Sequence, residues 1–206
     1  MLMEPLYNPI VKRIFTEEES KEIFEFLKEK AYVYHTPYKR YNKMVKVPRG
    51  QASFTLNDNI HYNYGRIAGG SPPNEIMCDR LKEITQRVNM VMGRNYNTIL
   101  MNVYKNNKDC FAAHQDNENG WVKGTGFGTL AFGCERPFVI CEIATKNKEK
   151  IIHKSGEVIE LPYPMNSFFT HQVPPCSKAD SMAGGWQTEE WRISLTFREI
   201  EESVRA

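Results

Sequence analysis

Seven polar side chains scattered over the C-terminal half could do chemistry together: Asn102 and Tyr104, His114 and Asp116, His171, and Arg192 and Arg198. A His-x-Asp pair with a distant histidine supplies two imidazoles and one carboxylate. This facial donor set holds non-haem Fe(II) and leaves positions open for a co-substrate and oxygen. Folded into one small β-barrel, such residues would make an oxygenase site.

His114 and Asp116 are two positions apart, so an extended backbone turns both to one face. Taken alone, the pair also reads as a polar turn over 112–120 leaving a strand. His171 lies in 167–174, whose apolar neighbours predict a half-buried strand. An imidazole buried there is either a ligand or a hydrogen-bonded core histidine. In 192–198 the alternation is strict, with Arg192, Ser194, Thr196 and Arg198 on one face and Ile193, Leu195 and Phe197 on the other. Buried arginines need anions, and 2-oxoglutarate carries two carboxylates. The two arginine Cα atoms would lie about 20 Å apart, so both guanidinium groups could meet one short ligand only by reaching towards each other. The other reading is surface pairing with Glu189, Glu190, Glu199 or Glu201. The apolar core makes no use of Asp116, so its removal is expected to end the chemistry and leave the fold intact.

Positioning these groups falls to elements legible as patterns. Thr16 followed by Glu17, Glu18 and Glu19 has the capping-box form, and Ile23, Phe24, Phe26, Leu27 and Ala31 continue as a helical apolar stripe. A second helix is announced by Ser71, Pro72 and Pro73, carries Met77, Leu81, Ile84, Val88 and Val91, and ends at Gly93. The stretch 48–70, rich in Asn, Tyr and Gly, reads as short strands and loops rather than core. Strands are predicted over 98–104, 127–133, 137–143, 157–161, 166–173 and 191–198. The fold class expected is α+β: a double-stranded β-helix, or jelly roll, with two N-terminal helices buttressing one face. One domain is expected over 1–206, with helical support and recognition loops in 1–95 and the jelly roll in 96–206.

Composition agrees with a soluble globular chain. It has 206 residues, is 41% hydrophobic and 25% charged, and contains no apolar run long enough to cross a bilayer. The first thirteen residues lack a secretory profile, so an intracellular protein, cytoplasmic or nuclear and monomeric, is expected. Cys78, Cys110, Cys134, Cys141 and Cys176 form no Cys-x-x-Cys pair and read as reduced, mostly buried thiols rather than disulfides or zinc ligands. The net charge of +2 implies little, but Lys39, Arg40, Lys43, Lys46 and Arg49 run without an acid, interleaved with Tyr38 and Tyr41. Such a run can neutralise phosphates while its rings stack on bases, or can be a solvated basic loop.

In order and approximate spacing, Asn102-x-Tyr104, His114-x-Asp116, His171-x-Val173-Pro174 and Arg192-x-Ser194-x-Thr196-Phe197-Arg198 resemble the AlkB-type Fe(II)/2-oxoglutarate dioxygenases. Upstream, Pro48-Arg49-Gly50-Gln51-Ala52 resembles the Pro-Arg-x-Gln segment of homologues that act on alkylated DNA or RNA. The resemblance spans roughly 45–199. It implies that His114, Asp116 and His171 ligate Fe(II), with 2-oxoglutarate and O2 as co-substrates. Arg192, assisted by Tyr104 and Ser194, would pair with the distal carboxylate, and Arg198 and Asn102 would hold the end that chelates the metal. Glu118 would face the damaged base, Tyr62 and Tyr64 would stack on it, and Arg49, Gln51 and Lys150 would contact the nucleic acid. Asn107 and Ser194 depart from residues common in the family, and 175–191 is longer than usual.

The activity so implied is oxidative demethylation of N-alkylated bases, N1-methyladenine or N3-methylcytosine, which requires a single-stranded or flipped base. Two competing readings are a 2-oxoglutarate hydroxylase of a protein or small molecule, and a non-catalytic nucleic-acid-binding jelly roll.

Overall fold

A computed structural model describes residues 8–29, 37–40, 43–62, 73–176 and 191–202. In chain order the elements are β1 (Ile10–Arg13), α1 (Glu17–Glu29), β2 (Pro37–Arg40), β3 (Lys43–Lys46), β4 (Gly50–Thr55), β5 (Asn74–Ile76), α2 (Asp79–Met92), β6 (Thr98–Tyr104), β7 (Phe111–His114), β8 (Phe127–Gly133), β9 (Arg136–Glu142), β10 (Lys148–His153), β11 (Glu157–Leu161), α3 (Met165–Phe168), β12 (Phe169–Val173) and β13 (Arg192–Arg198).

The strands form two facing sheets, the jelly-roll arrangement. One has seven strands in the order β1-β11-β8-β13-β6-β4-β5 and the other four, β10-β9-β12-β7, while β2 and β3 pair as a separate hairpin. Alternation along β13 decides how the layers stack. Its Ile193, Leu195 and Phe197 join Ile23 and Leu27 of α1 and Leu81, Ile84 and Val88 of α2 in one buried cluster, so both helices cover the outer face of the larger sheet. The inner face is left with a polar row, Gln51 opposite Asn102 and Asn102 opposite Ser194. A second apolar cluster, including Phe127, Phe138, Ile140, Leu161 and Val173, fills the rest of the space between the sheets.

Local chemistry explains the helices. Thr16 Oγ1 accepts the Glu19 amide at 3.2 Å while Glu19 Oε2 accepts the Thr16 amide at 2.8 Å, a reciprocal cap that starts α1. Glu19 also accepts from Arg87 of α2 at 2.6 Å, tying the helices together. At the other end of α2, Gly93 takes φ +65°, where a side chain is disfavoured, and its amide closes on the Asn89 carbonyl.

Several sequence expectations are corrected. The stretch 48–70 is not merely peripheral: β4 within it is buried along its whole length, because both its neighbours are strands. The second helix begins at Asp79 rather than after the prolines, since Asn74–Ile76 pairs in parallel with β4. The strand expected over 166–173 is divided, a short helix occupying Met165–Phe168. Strands β1, β7 and β10 escaped the pattern, being short or exposed. All five cysteines are free thiols, but only Cys176 is buried. Among the described residues, no helix is long and apolar enough to cross a membrane.

Candidate functional site

Two strands of the smaller sheet bring the histidines together. His171 of β12 stands directly opposite His114 at the end of β7, and their rings lie 4.2 Å apart. Strand β7 stops at His114, yet the chain still carries Asp116 inward. Its Oδ1 lies 3.2 Å from His114 Nε2 and 3.7 Å from His171 Nε2. One donor atom from each residue falls within 4.8 Å of the others.

The hydrogen bonding fixes which nitrogen faces the centre. His114 Nδ1 donates to its own strand's Ala112 carbonyl at 2.8 Å, so Nε2 presents a lone pair. His171 is wedged between Phe127 and Phe138, with ring centroids at 4.8 and 5.8 Å. Burial, with the charge of His114, pushes its pKa down to about 3 although Asp116 opposes the shift, so it is neutral at ordinary pH. The His114 and His171 imidazoles and the Asp116 carboxylate, aimed at one point, suit Fe(II) as a ligand set.

Burial alone would raise the Asp116 carboxyl. The adjacent Arg198 guanidinium and the two histidines outweigh that and hold it well below the usual carboxylate range. Arg198 Nε donates to Asp116 Oδ2 at 3.0 Å and Nη2 donates to the same oxygen. The surface pairing considered for Arg198 is therefore overturned: it is 1% exposed and its partner is the central carboxylate.

Arg192, at the opposite end of β13, is equally buried, and its guanidinium lies 5.1 Å from the centre of the Tyr104 ring. The surface reading fails for it too. Its Nη2 donates to His153 Nδ1 at 3.1 Å, whereas Nε and Nη1 are buried without a hydrogen-bond partner among the described residues. On the other side of Tyr104 sits Arg136, 5.4 Å from the ring and tied to the carbonyls of Asn106, Asp109 and Pro174. Among the described residues, neither Arg192 nor Arg136 pairs with a carboxylate. Burial pushes the Arg192 pKa down to about 10, Tyr104 opposing and Arg136 adding to the shift, which leaves it charged at neutral pH.

The remaining expected residues divide. Asn102 Oδ1 accepts from Arg49 Nε at 2.7 Å and Gln51 Nε2 at 3.2 Å. Arg49 and Gln51 are thus buried in the barrel wall, Arg49 also lying 3.5 Å over the Phe111 ring that stacks on His114. Ser194 is buried opposite Asn102. Tyr62 is buried with its ring 5.3 Å from the Arg198 guanidinium, in the second apolar cluster. Lys150 is misplaced by the sequence reading. It pairs with Val139, which pairs with Gln172, so it projects from the face of the smaller sheet opposite to His171 and is exposed. Tyr64, Tyr41 and 177–190 lie outside the described residues, and Tyr38, Lys39, Arg40, Lys43 and Lys46 are described only as backbone of β2 and β3.

Glu118 is half-buried, and its Oε1 accepts from Asn166 Nδ2 at 2.7 Å. The same Asn166 side chain accepts the Asp116 amide at 2.8 Å and donates to the Asp116 carbonyl at 3.0 Å. Sequence reasoning missed Asn166, His153 and Arg136. Each becomes visible only through its long-range partner, although Asn166 and Ser167, two residues after Pro164, at the start of an expected strand were a local signal that the strand should break.

Comparison with known proteins follows the same lines. The family model described as 2OG-Fe(II) oxygenase superfamily matches residues 9–198. The chain is 24% identical over 198 residues to DNA oxidative demethylase ALKBH2 of Bos taurus, covering 91% of this chain and 66% of that relative. It is 24% identical over 150 residues to alpha-ketoglutarate-dependent dioxygenase alkB homolog 3 of Homo sapiens, covering 68% and 49%. A solved structure of OsALKBH1 has the same fold at a TM-score of 0.60 and 14% identity, covering 97% of this chain and all of that one.

Proposed function

The chain belongs to the 2OG-Fe(II) oxygenase superfamily, in its AlkB-type branch, and from that premise we propose that it oxidatively demethylates N-alkylated bases in DNA or RNA. The observation that carries the reading is the convergence of His114, Asp116 and His171 in a barrel that also buries Arg192, which among the described residues pairs with no carboxylate. A 2-oxoglutarate carboxylate would supply an anion for it.

Bound here, Fe(II) with O2 and 2-oxoglutarate supplies the oxidising chemistry: the co-substrate is decarboxylated to succinate and one oxygen atom enters a substrate C–H bond. The side chains hold and orient. His114, Asp116 and His171 would hold the ion, and Arg192 with Tyr104 would take the distal carboxylate. Arg198 keeps Asp116 ionised and, with Asn102, would hold the near end of the co-substrate; Asn102 is itself held in the wall by Arg49 and Gln51. The phenylalanines around His171 exclude water. A hydroxylated N-methyl group then releases formaldehyde and a proton, the broken bond's electrons returning to the ring nitrogen and restoring the neutral base.

The base preference proposed is for N1-methyladenine and N3-methylcytosine. Both are cationic and keep an exocyclic amine, and Glu118, two residues beyond Asp116, offers a carboxylate to them. The name of the ALKBH2 relatives supports DNA among the substrates. The test is anaerobic loading with Fe(II) and 2-oxoglutarate, then oxygen and oligonucleotides bearing N1-methyladenine, N3-methylcytosine or neutral N3-methylthymine. Formaldehyde and restored base are expected from the cationic lesions, and Glu118→Gln should slow those about tenfold more than the neutral one. Equal losses on both would refute the role of Glu118. A wild-type enzyme that ignores all three oligonucleotides and hydroxylates a peptide would refute the repair reading.

A further inference from the structure

His153 ends β10 in the smaller sheet, and Arg192 begins β13 in the larger one. Neither side chain reaches solvent, at 0% and 1% exposure. The hydrogen bond between them therefore crosses from one sheet to the other inside the barrel. The histidine's other nitrogen settles its tautomer. Nε2 lies 2.8 Å from the Glu157 carbonyl oxygen, which can only accept, so Nε2 carries the proton and Nδ1 presents its lone pair to Arg192 Nη2.

A neutral acceptor does something a carboxylate could not. An Asp or Glu at this place would orient the guanidinium and also cancel its charge, as Asp116 does for Arg198. An imidazole orients it and leaves the full positive charge, together with Nε and Nη1, for a ligand. Arg136, held among the described residues by backbone carbonyls across the Tyr104 ring, adds a second positive charge to the same end of the barrel.

Resting on the 2-oxoglutarate reading above, we propose that His153 is a positioning residue for the co-substrate, a neutral clamp that fixes how far the Arg192 guanidinium stands from the iron ligands and so selects the length of the dicarboxylate. Burial, with the neighbouring Arg192 charge adding to it, holds the His153 pKa down at about 3, so the clamp stays neutral across the working range of pH.

The test compares wild type, His153→Leu and His153→Gln. A glutamine amide can donate to the Glu157 carbonyl and accept from Arg192 at once, whereas leucine fills the volume and does neither. Each protein, loaded with Mn(II), is titrated calorimetrically with 2-oxoglutarate and with 2-oxoadipate, one methylene longer. The Leu variant should bind 2-oxoglutarate about tenfold more weakly with unchanged Mn(II) affinity, and its preference over 2-oxoadipate should shrink. The Gln variant should recover most of both. Under turnover the loss should fall on KM for 2-oxoglutarate and not on kcat.

A wild-type protein that binds neither dicarboxylate overturns the co-substrate reading and this inference with it. A wild type that binds and a folded Leu variant that binds equally well and with equal selectivity overturns the inference alone. Should the Leu variant fail to fold, the nitrogen-15 spectrum of wild-type His153 decides. A proton on Nε2 and a Nδ1 resonance that moves on adding 2-oxoglutarate support the clamp, and a proton on Nδ1 or an unmoved resonance overturns it.

Discussion

Asp116 does two jobs, as candidate iron ligand and as the counter-ion of buried Arg198. Its replacement is therefore not the clean deletion of chemistry that the sequence suggests. Asp116→Ala leaves a fully buried guanidinium without its carboxylate, which costs about 3–5 kcal/mol. Asp116→Asn keeps an acceptor for Arg198 and costs less. Both variants should lose Fe(II)-dependent turnover, and urea unfolding should show Ala less stable than Asn. Equal stability of the two would mean that Arg198 finds other compensation.

At the scale of elements, the one-turn helix α3 earns attention because it delivers Asn166 to the loop after β7. One buried amide makes three hydrogen bonds there, two to the Asp116 backbone and one to Glu118. Asp116 and Glu118 lie beyond the end of β7, so no ladder holds them, and α3 takes over that function from another part of the chain. Asn166→Ala should destabilise the fold by about 2 kcal/mol and weaken metal binding by about 10- to 100-fold, as losses behind a ligand shell do. Competitive Fe(II) or Mn(II) titration with thermal unfolding checks both, and unchanged metal affinity would confine Asn166 to a packing role.

For the whole molecule, the buried histidines set the acid limit. His153 and His171 have pKa values of about 3 when folded, against 6.5 for an ordinary histidine. Above pH 6.5 neither state binds the protons. Below it the unfolded chain takes up protons that the folded chain refuses, so stability falls as pH drops and the loss is complete near pH 3. For each histidine the slope should approach about 1.4 kcal/mol per pH unit. Urea unfolding of the iron-free protein between pH 7 and pH 4 should show this decline, and His153→Leu should flatten it. A pH-independent midpoint over that range would mean that these imidazoles are hydrated in solution.

What could be read from the sequence alone was whatever depends on neighbours along the chain. The Thr16–Glu19 cap, the period of α1 and the alternation of 192–198 are local, and the structure has each of them. The donor types and their order were equally legible, because His114, Asp116 and His171 can be chosen by chemistry before their positions are known. Tertiary structure decided the rest, through register and sheet pairing. A shift of one residue exchanges the faces of a strand, and that parity turns Lys150 outward and Gln51 inward. The pairing of β12 with β7 sets the two histidines opposite each other. The facing of the sheets puts His153 against Arg192 and the Asp116 loop against Arg198, partners 39 and 82 residues apart. Nothing local encodes such contacts, since a buried charge selects its partner only once packing has excluded water from both.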